Sequence, residues 1–261
     1  LHGLFSDELA AVLFFQPWVL KRCYWVMHGG DFYYPEKQSW MKKKIIKNIR
    51  NFITYLKGDF DYVKNLYDAK GKYHECFMYP SNLYKEHSLG TKDYNTINIQ
   101  VGNSADPSNN QIEILEKIKK YKNKNIKIFA PLSYGGEQSY VDTVISKGEE
   151  IFGDRFIPIL KFMKSEEYLN FLENIDIAIF AHKRQQAMGN IITLLGLGKK
   201  IYIRTSITSW QFFKDIDVKL FDYNQLNLIS MDKIIKKANS DKIKSYFSKE
   251  NYLKQLQSLL N

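Results

Sequence analysis

The stretch IDIAIFAHKRQQAMGNIITLLGLGKKIYIR, residues 175–204, carries the pattern that decides the fold. Its apolar start, Ile175–Phe180, is typical of a strand buried on both faces. A polar turn follows, and then apolar residues recur at helical spacing up to Gly198, where a glycine suits a helix C-terminus. Lys200–Ile203 has the composition of a further strand. The stretch therefore predicts a strand–turn–helix–strand unit of an α/β protein.

The turn of this unit could bind a phosphate. A helix start has free N–H groups and the positive end of the helix dipole, and both attract anions. Gly189, near the predicted helix start, would let an anion approach the backbone closely. An ordinary strand–helix turn with a solvated Lys183–Arg184 pair fits equally well. This stretch alone leaves both interpretations open.

Composition and charge narrow the class of protein. Of the 261 residues 44% are hydrophobic and 15% aromatic, which indicates a globular chain and excludes a disordered one. The net charge of +10 favours an anionic partner: nucleic acid, a membrane surface or a phosphorylated ligand. Cys23 and Cys76 show no metal-site spacing and indicate free thiols in a reducing compartment. We expect a cytosolic protein whose natural start is missing or processed, because the first residue is Leu1.

From Ile97 onward, strands alternate with helices. The predicted strands are Ile97–Val101, Ile126–Ala130 and Phe156–Ile159, and the predicted helices are Gln111–Tyr121, Ser139–Phe152 and Ser165–Leu172. This alternation predicts a parallel doubly wound sheet, which binds ligands at the carboxyl ends of its strands. Three loops at these ends, 102–109, 131–136 and 182–190, are rich in Gly, Ser, Asn and Gln. None has the dinucleotide or Walker pattern, which weakens a dinucleotide-binding or ATPase interpretation.

The first part of the chain is less regular. We predict a helix at Leu4–Phe15, a strand at Cys23–Met27, short strands at 61–63 and 75–79, and a linker within 81–94. The first strand runs into His28-Gly29-Gly30-Asp31, which places a carboxylate at the mouth of a sheet, where α/β proteins bind ligands. Asp31 could equally cap the next segment.

Trp40–Lys57 predicts one basic amphipathic helix, since its apolar residues fall at helical spacing and it has no acidic residue. A core-facing helix with a solvated charged face explains the pattern, and so does a helix that lies on an anionic membrane. A nucleic-acid partner is a third option, although no DNA- or RNA-binding motif occurs. The candidate docking residues are Lys42, Lys43, Lys44, Lys47 and Arg50.

Several loops together resemble a known family. They are Val101–Asn109 (VGNSADPSN), Pro131–Tyr134 (PLSY), Arg184–Gln186 (RQQ) with Gly189, and Ser209–Phe212 (SWQF). In this order and spacing they resemble glycosyltransferase family 56, whose bacterial members move 4-acetamido-4,6-dideoxygalactose from a dTDP-sugar to a lipid-linked intermediate of enterobacterial common antigen. The resemblance covers most of the chain and is strongest from Ile97 to Phe213.

The resemblance implies an α/β fold of the GT-B type, with two Rossmann-like domains that face across a cleft and a short or truncated N-terminal one. On this basis residues 1–95 form the acceptor-side domain, 96–242 the donor-binding domain, and 243–261 a C-terminal helix that packs back toward the first. It also implies a peripheral enzyme at the cytoplasmic face of the bacterial inner membrane. Its partners would be a dTDP-sugar, a polyprenyl diphosphate-linked glycan and the anionic membrane surface, with no nucleic acid.

The same resemblance suggests how a donor would be held. The diphosphate is assigned to the N–H groups of Gly189 and Asn190, helped by Arg184. No metal cofactor is expected, because GT-B enzymes generally manage without one and no Asp-x-Asp motif stands near a donor loop. The distal phosphate or sugar is assigned to Gly102, Asn103, Ser104 and Ser108, the thymine to Ser133 and Tyr134, and the ribose or sugar hydroxyls to Gln185 or Gln186.

Acceptor activation needs a group that can take a proton from a sugar hydroxyl. Asp31 is the predicted general base, with His28 and His2 as second candidates, although a lone histidine is more often structural. Two alternatives stay open: a transferase that uses another donor, such as a UDP-sugar, for a different surface glycan, and a nucleotide-sugar-binding protein without catalysis.

Overall fold

A computed structural model describes residues 1–85 and 95–260, and by their contacts the residues fall into two units. The first unit comprises Leu1–Leu83, Arg184–Gln186 and Phe247–Asn261, and the second comprises Tyr84–Lys183 and Ala187–Tyr246. Most of the predicted linker, residues 86–94, lies outside the described residues.

A small parallel sheet organises the described part of the first unit. Its strands, in the spatial order β1-β2-β3, are β1 (Tyr24–Val26), β2 (Asn51–Ile53) and β3 (Lys72–His74). Three helices alternate with them along the chain: α1 (Asp7–Phe15), α2 (Trp40–Asn48) and α3 (Lys57–Tyr67). The core is rich in aromatic rings, and Trp25 of β1 packs edge-on against Phe32 and at a tilt against Phe52. Such rings bury large apolar areas and compensate for the short strands.

The predicted single helix from Trp40 to Lys57 is wrong. Helix α2 ends at Asn48, β2 follows, and α3 begins at Lys57. All three residues of β2 are buried because this strand is the middle one of the sheet. Phe52 and Ile53 are therefore apolar as strand residues, and their match to the helical spacing of α2 is a coincidence.

Two predicted short strands also differ from the structure. Residues 61–63 lie inside α3, and residues 75–79 are irregular. The third strand lies at Lys72–His74 instead. This strand is partly exposed and has polar residues at both ends, so the sequence contains no apolar run that would indicate it.

In the described part of the second unit, six parallel strands form one sheet. They are β4 (Ile97–Val101), β5 (Ile126–Pro131), β6 (Phe156–Ile159), β7 (Ile177–Phe180), β8 (Lys200–Ile203) and β9 (Phe221–Asp222). The helices are α4 (Gln111–Ile118), α5 (Gln138–Phe152), α6 (Ser165–Glu173), α7 (Met188–Gly196), α8 (Thr208–Asp215) and α9 (Lys233–Tyr246). The predicted alternation of strands and helices is confirmed.

The strand order, β6-β5-β4-β7-β8-β9, decides where this sheet can bind a ligand. Counted from β4, it is the doubly wound order 3-2-1-4-5-6, in which the connections reverse direction between β4 and β7. The loops that leave the carboxyl ends of these two strands therefore diverge and leave a crevice. They are two of the three polar loops found in the sequence.

The last helix, α10 (Lys249–Leu260), belongs to the first unit. Its Gln255 Oε1 accepts from the backbone N–H of Phe77 at 3.1 Å, and its Tyr252 hydroxyl donates to the carbonyl oxygen of Met78 at 3.0 Å. These bonds hold the helix against the segment that follows β3. Within the described ranges, the chain has no helix with the length and apolar character of a membrane span.

Candidate functional site

Asn109 ties the loop after β4 to the end of β7. Its Oδ1 accepts from the N–H of Asn103 at 2.8 Å and from His182 Nε2 at 3.0 Å. Its Nδ2 donates to Ser104 Oγ and to the carbonyl oxygen of Asp106, each at 3.0 Å. A buried amide that makes four hydrogen bonds fixes the loop firmly.

Gly102 makes the turn at the end of β4. Its φ is +67°, and a Cβ on it would lie 2.8 Å from Asn109 Oδ1, so only glycine fits here. Gln100 of β4 donates from Nε2 to the carbonyl oxygen of Gly102 at 2.9 Å. The predicted donor-binding residues Gly102, Asn103 and Ser104 thus lie together in a rigid loop at the switch point of the sheet.

Asn103 keeps one acceptor available in this loop. Its Nδ2 lies 3.4 Å from the hydroxyl of Tyr134, whereas its Oδ1 is buried and has no hydrogen-bond partner among the described residues. An unpaired buried acceptor is costly, by about 1–3 kcal/mol, and is often explained by a missing donor. A ligand N–H or O–H would satisfy it.

Helix α7, which follows the loop after β7, begins with its N–H groups available. Its N-cap is Ala187, with φ +59°, and no described side chain caps the helix. A Cβ on Gly189 would have no described atom within 4 Å. The positive end of the helix dipole and the N–H groups of Gly189 and Asn190 therefore form a suitable seat for an anion.

The side chain of Asn190 is held by a residue that the sequence did not indicate. Its Oδ1 accepts from the hydroxyl of Tyr168 in α6, and burial raises the pKa of that phenol. The amide is therefore oriented by the protein, and the part of Asn190 left for an anion is its backbone N–H. A tyrosine in an amphipathic helix carries no sequence signal for this role, because most such rings only pack.

The predicted nucleobase-binding residues follow the end of β5. The carbonyl oxygen of Tyr134 accepts from the N–H of Ala105 at 2.7 Å, so this loop is bonded to the loop after β4. The Tyr134 ring is exposed, and its centroid lies 6.4 Å from that of Phe162, a still more exposed ring after β6. Ser133 is half-buried beside Tyr134.

Ser108, in the loop after β4, donates its N–H to Asp106 Oδ1 at 2.8 Å, so Asp106 caps the turn Pro107–Asn109.

In the first unit, Asp31 is the centre of a buried hydrogen-bond cluster. Only 1% of the residue is exposed. Its Oδ2 accepts from the Leu4 N–H and from Trp25 Nε1, both at 2.9 Å, and its Oδ1 accepts from the His28 N–H at 3.1 Å. Burial raises its pKa, and the three hydrogen bonds oppose that rise. The carboxylate thus joins the N-terminal segment, β1 and the following loop.

Tyr79 brings the two candidate histidines into the same cluster. Its hydroxyl oxygen lies 2.7 Å from His28 Nε2 and 3.0 Å from His2 Nδ1. Burial raises the pKa of this phenol, and the nearby charge of Asp31 adds to the rise. The three predicted catalytic residues Asp31, His28 and His2 are therefore neighbours, and Tyr79 is the link that the sequence did not reveal.

The turn Arg184–Gln186 also belongs to the first unit by its contacts. Gly29 has φ +84°, and a Cβ on it would lie 2.7 Å from Gln185 Oε1 and 3.5 Å from Arg184 Nη1. Arg184 Nη1 donates to the carbonyl oxygen of Gln185 at 2.9 Å. A guanidinium thus lies beside the loop that carries His28, and Gln186 is half-buried next to it. Among the described residues, no group of three His, Cys, Asp or Glu side chains could hold a metal ion.

A family model described as 4-alpha-L-fucosyltransferase, glycosyl transferase group 56, matches residues 1–261. The chain belongs to glycosyl transferase group 56. This confirms the resemblance found in the sequence and the predicted enzyme class, a nucleotide-sugar-dependent glycosyltransferase.

Solved structures show that the group 56 chain has the GT-B fold that was predicted. WaaG, a glycosyltransferase involved in lipopolysaccharide biosynthesis, is 11% identical with a TM-score of 0.61, over 99% of this chain and 84% of its own. A UDP-forming trehalose-phosphate synthase from Burkholderia xenovorans is 9% identical with a TM-score of 0.66, and the match covers 97% of this chain and 77% of the synthase. An E. coli trehalose-6-phosphate protein bound with UDP-2-fluoro glucose is 10% identical with a TM-score of 0.65, and the match covers 96% of this chain and 69% of that protein.

The five predicted docking residues of the group 56 chain have different surroundings. Lys42 is only 12% exposed, lies 3.1 Å from Asp7 and donates to the carbonyl oxygen of Phe5 at 3.0 Å. Lys47 lies 2.6 Å from Asp68. Both are therefore engaged within the protein. The remaining three, Lys43, Lys44 and Arg50, are exposed.

Proposed function

We propose that this enzyme moves a deoxyamino sugar similar to 4-acetamido-4,6-dideoxygalactose from a dTDP-sugar to a polyprenyl diphosphate-linked glycan in bacterial surface polysaccharide synthesis. It works as a peripheral protein at the cytoplasmic face of the inner membrane. The observation that carries the proposal is the uncapped start of α7 at the switch point of the second sheet, in a chain that belongs to group 56.

The donor half of the reaction uses the second unit. The leaving diphosphate gains negative charge as the glycosidic bond breaks, and the N–H groups of Gly189 and Asn190 at the positive helix end stabilise that charge most in the transition state. Because these groups are fixed before the reaction, they need no reorganisation while the charge develops. We expect the step to proceed without a metal ion.

The loop after β4 contacts the sugar in this proposal. Asn103 Oδ1 is an acceptor, and a phosphate oxygen would also be an acceptor, so the two cannot form a hydrogen bond. A hydroxyl or acetamido N–H of the sugar can. The exposed rings of Tyr134 and Phe162 offer the nucleobase an aromatic surface, which its flat faces favour.

The acceptor half uses the Asp31 cluster. A general base must reach the hydroxyl that it deprotonates, and the half-buried His28 is more accessible than Asp31. If His28 Nε2–H donates to the Tyr79 oxygen and the Tyr79 hydroxyl donates to His2 Nδ1, then His28 Nδ1 keeps a lone pair that can take the proton. His28 is then the base and Asp31 positions its loop, which reverses the order of candidates predicted from the sequence.

The two alternatives make different predictions for the nucleotide and for turnover. A transferase for another surface glycan would prefer UDP or another nucleotide and keep the same anion seat. A binding protein without catalysis would be stabilised by a nucleotide sugar and release no nucleoside diphosphate.

A nucleotide panel followed by a transfer assay tests the proposal. Thermal-shift measurements with dTDP, UDP, GDP, ADP and CMP, each with and without Mg²⁺, should show selective stabilisation by dTDP. Incubation of a dTDP-deoxyamino sugar with a lipid-linked acceptor should then release dTDP and add one sugar to the lipid, as seen by mass spectrometry. Preference for UDP would exclude the proposed donor, and release of no diphosphate from any donor would exclude catalysis.

A further inference from the structure

Three large aromatic side chains are exposed at one end of α1. Phe15 ends the helix and is 75% exposed, Trp18 lies in the next turn at 65%, and Trp40 begins α2 at 64%. The ring of Phe14 connects two of them, with centroids 5.4 Å from Phe15 and 4.9 Å from Trp40, and Trp18 follows Phe15 by three residues in the chain. We name Phe14, Phe15, Trp18 and Trp40 the aromatic surface. Adjacent exposed rings of this size are unusual on a soluble face and indicate an interaction site.

Basic residues border the aromatic surface. Lys21 and Arg22 are exposed in the same turn as Trp18, and Lys43 and Lys44 are exposed in the first turns of α2. The Lys44 ammonium lies 5.3 Å from the centroid of the Phe14 ring. We name these four residues the basic rim.

Acidic side chains are scarce around this surface. Between Leu9 and Tyr34 the only acidic residue is Asp31, which is buried, α2 has none, and the turn before α2 has one exposed acidic residue, Glu36. Asp7, at the far end of α1, is paired with Lys42. The end of α1 that carries the aromatic surface therefore presents positive charge.

Resting on the proposed function, in which the acceptor is lipid-linked, we propose that the aromatic surface and the basic rim insert into the headgroup region of an anionic bilayer. Tryptophan and phenylalanine rings are stabilised at the boundary between headgroups and acyl chains, and lysine and arginine attract anionic headgroups. A protein partner could cover the rings, but four basic residues around them match the phosphates of a lipid surface better. The docking surface thus keeps Lys43 and Lys44 of the predicted residues, leaves out Lys42 and Lys47, which are paired with Asp7 and Asp68, and adds Lys21 and Arg22.

Flotation of the full chain with vesicles tests the apolar contribution. Wild type should float with vesicles of phosphatidylcholine and phosphatidylglycerol in equal parts and much less with phosphatidylcholine alone. Trp18→Ser with Trp40→Ser should lower the partition coefficient at least about tenfold. The matched control is Ile229→Ser with Ile234→Ser, which removes two side chains that are 74% and 80% exposed elsewhere. The proposal would be overturned if both double variants lowered the partition coefficient equally, or if neither lowered it.

Charge reversal tests the basic rim. Lys21→Glu, Arg22→Glu and Lys43→Glu together should weaken binding to the anionic vesicles by about fivefold or more for each residue changed. Lys120→Glu, Lys122→Glu and Lys124→Glu alter the net charge by the same amount at an exposed site in the second unit. If the two triple variants lose binding equally, only the total charge matters and the rim has no role.

Tryptophan fluorescence locates the contact. Vesicles should shift the emission of the wild type to shorter wavelength, whereas Trp18→Phe with Trp40→Phe should lose the shift and keep the binding, because phenylalanine still inserts. Trp25 is fully buried and the half-buried Trp210 lies in α8 of the second unit, so neither should contribute. A shift that persists in this variant would contradict insertion at the aromatic surface.

Turnover of a water-soluble short-chain acceptor separates this inference from the proposed function. Trp18→Ser with Trp40→Ser should transfer sugar to that acceptor at the wild-type rate while binding vesicles weakly. A wild type that floats but transfers no sugar contradicts the proposed function and leaves the docking surface intact. A wild type that transfers sugar but never floats contradicts the docking surface alone.

Discussion

The hydroxyl oxygen of Tyr79 lies 2.7 Å from Nε2 of His28 and also contacts His2, which makes a three-residue hydrogen-bond chain. The backbone N–H of His28 donates to Asp31. One imidazole is therefore fixed from two sides, through its ring and through its backbone. Orientation of this kind is what a general base requires, since proton transfer depends on geometry before it depends on pKa.

Tyr79→Phe should lower kcat by about 10- to 100-fold, because Nε2 of His28 loses the oxygen that orients the ring. The KM for the donor should stay unchanged, since Tyr79 serves the acceptor half of the proposed reaction. Steady-state kinetics with a lipid-linked acceptor checks both values. Tyr24→Phe, which removes an exposed hydroxyl in the same unit, is the control. An unchanged kcat with a raised acceptor KM would assign Tyr79 to binding instead.

Asp31→Asn should lower the free energy of unfolding by about 2 kcal/mol. The two Asp31 oxygens accept from three donors, so an amide NH₂ in either orientation would face a buried N–H. Urea denaturation monitored by the fluorescence of buried Trp25 checks this. Loss of activity with unchanged stability would contradict a positioning role and favour Asp31 as the base.

The same carboxyl predicts a pH dependence of stability. Burial raises its pKa above the ordinary value of 3.8, so the folded chain holds this proton more tightly than the unfolded chain. Its contribution to stability should therefore decrease as the pH rises from about 3.8 to the raised value and then stay level. Asp31→Asn should lack this decrease in a series of urea titrations between these pH values. A variant that keeps the full slope would assign it to other groups.

The fold of the second unit follows from its sequence because its central strands are buried on both faces. Ile177–Phe180 is wholly buried, and a short apolar run of this kind between two helices is typical of a central parallel strand. In the first unit the strands have three residues each, and β2 imitates a helix turn, so propensity indicated the wrong element.

The candidate site is only partly visible in the sequence. Residues in polar loops after strands, such as Gly102 and Asn103, can be identified from their position. Tyr79 and Tyr168 act through contacts with residues far away in the chain, 51 residues for Tyr79 with His28 and 22 for Tyr168 with Asn190. As two of 18 tyrosines they carry no local signal for these roles.

Asn103→Leu should raise the Kd of the sugar nucleotide about tenfold, because a sugar N–H or O–H loses its acceptor, whereas the affinity for dTDP itself should not change. Calorimetric titration with dTDP and with the dTDP-sugar separates the two effects. Equal losses for both ligands would show that Asn103 contacts the nucleotide, contrary to the sugar contact proposed from its buried oxygen.

Gly189→Ala should weaken donor binding without a cost in stability. The backbone of Gly189 lies in the first turn of α7, no described atom lies within 4 Å of the added Cβ, and alanine is the better helix former by up to about 1 kcal/mol. The methyl group would occupy the approach that a diphosphate needs, so the Kd for dTDP should rise about tenfold while Tm stays equal or increases. Gly102→Ala is the opposite case, because its φ of +67° and the Asn109 oxygen at 2.8 Å from the Cβ should lower Tm. Unchanged dTDP affinity in Gly189→Ala would place the diphosphate away from α7, because a methyl group at the helix start would sterically hinder an anion bound to these N–H groups.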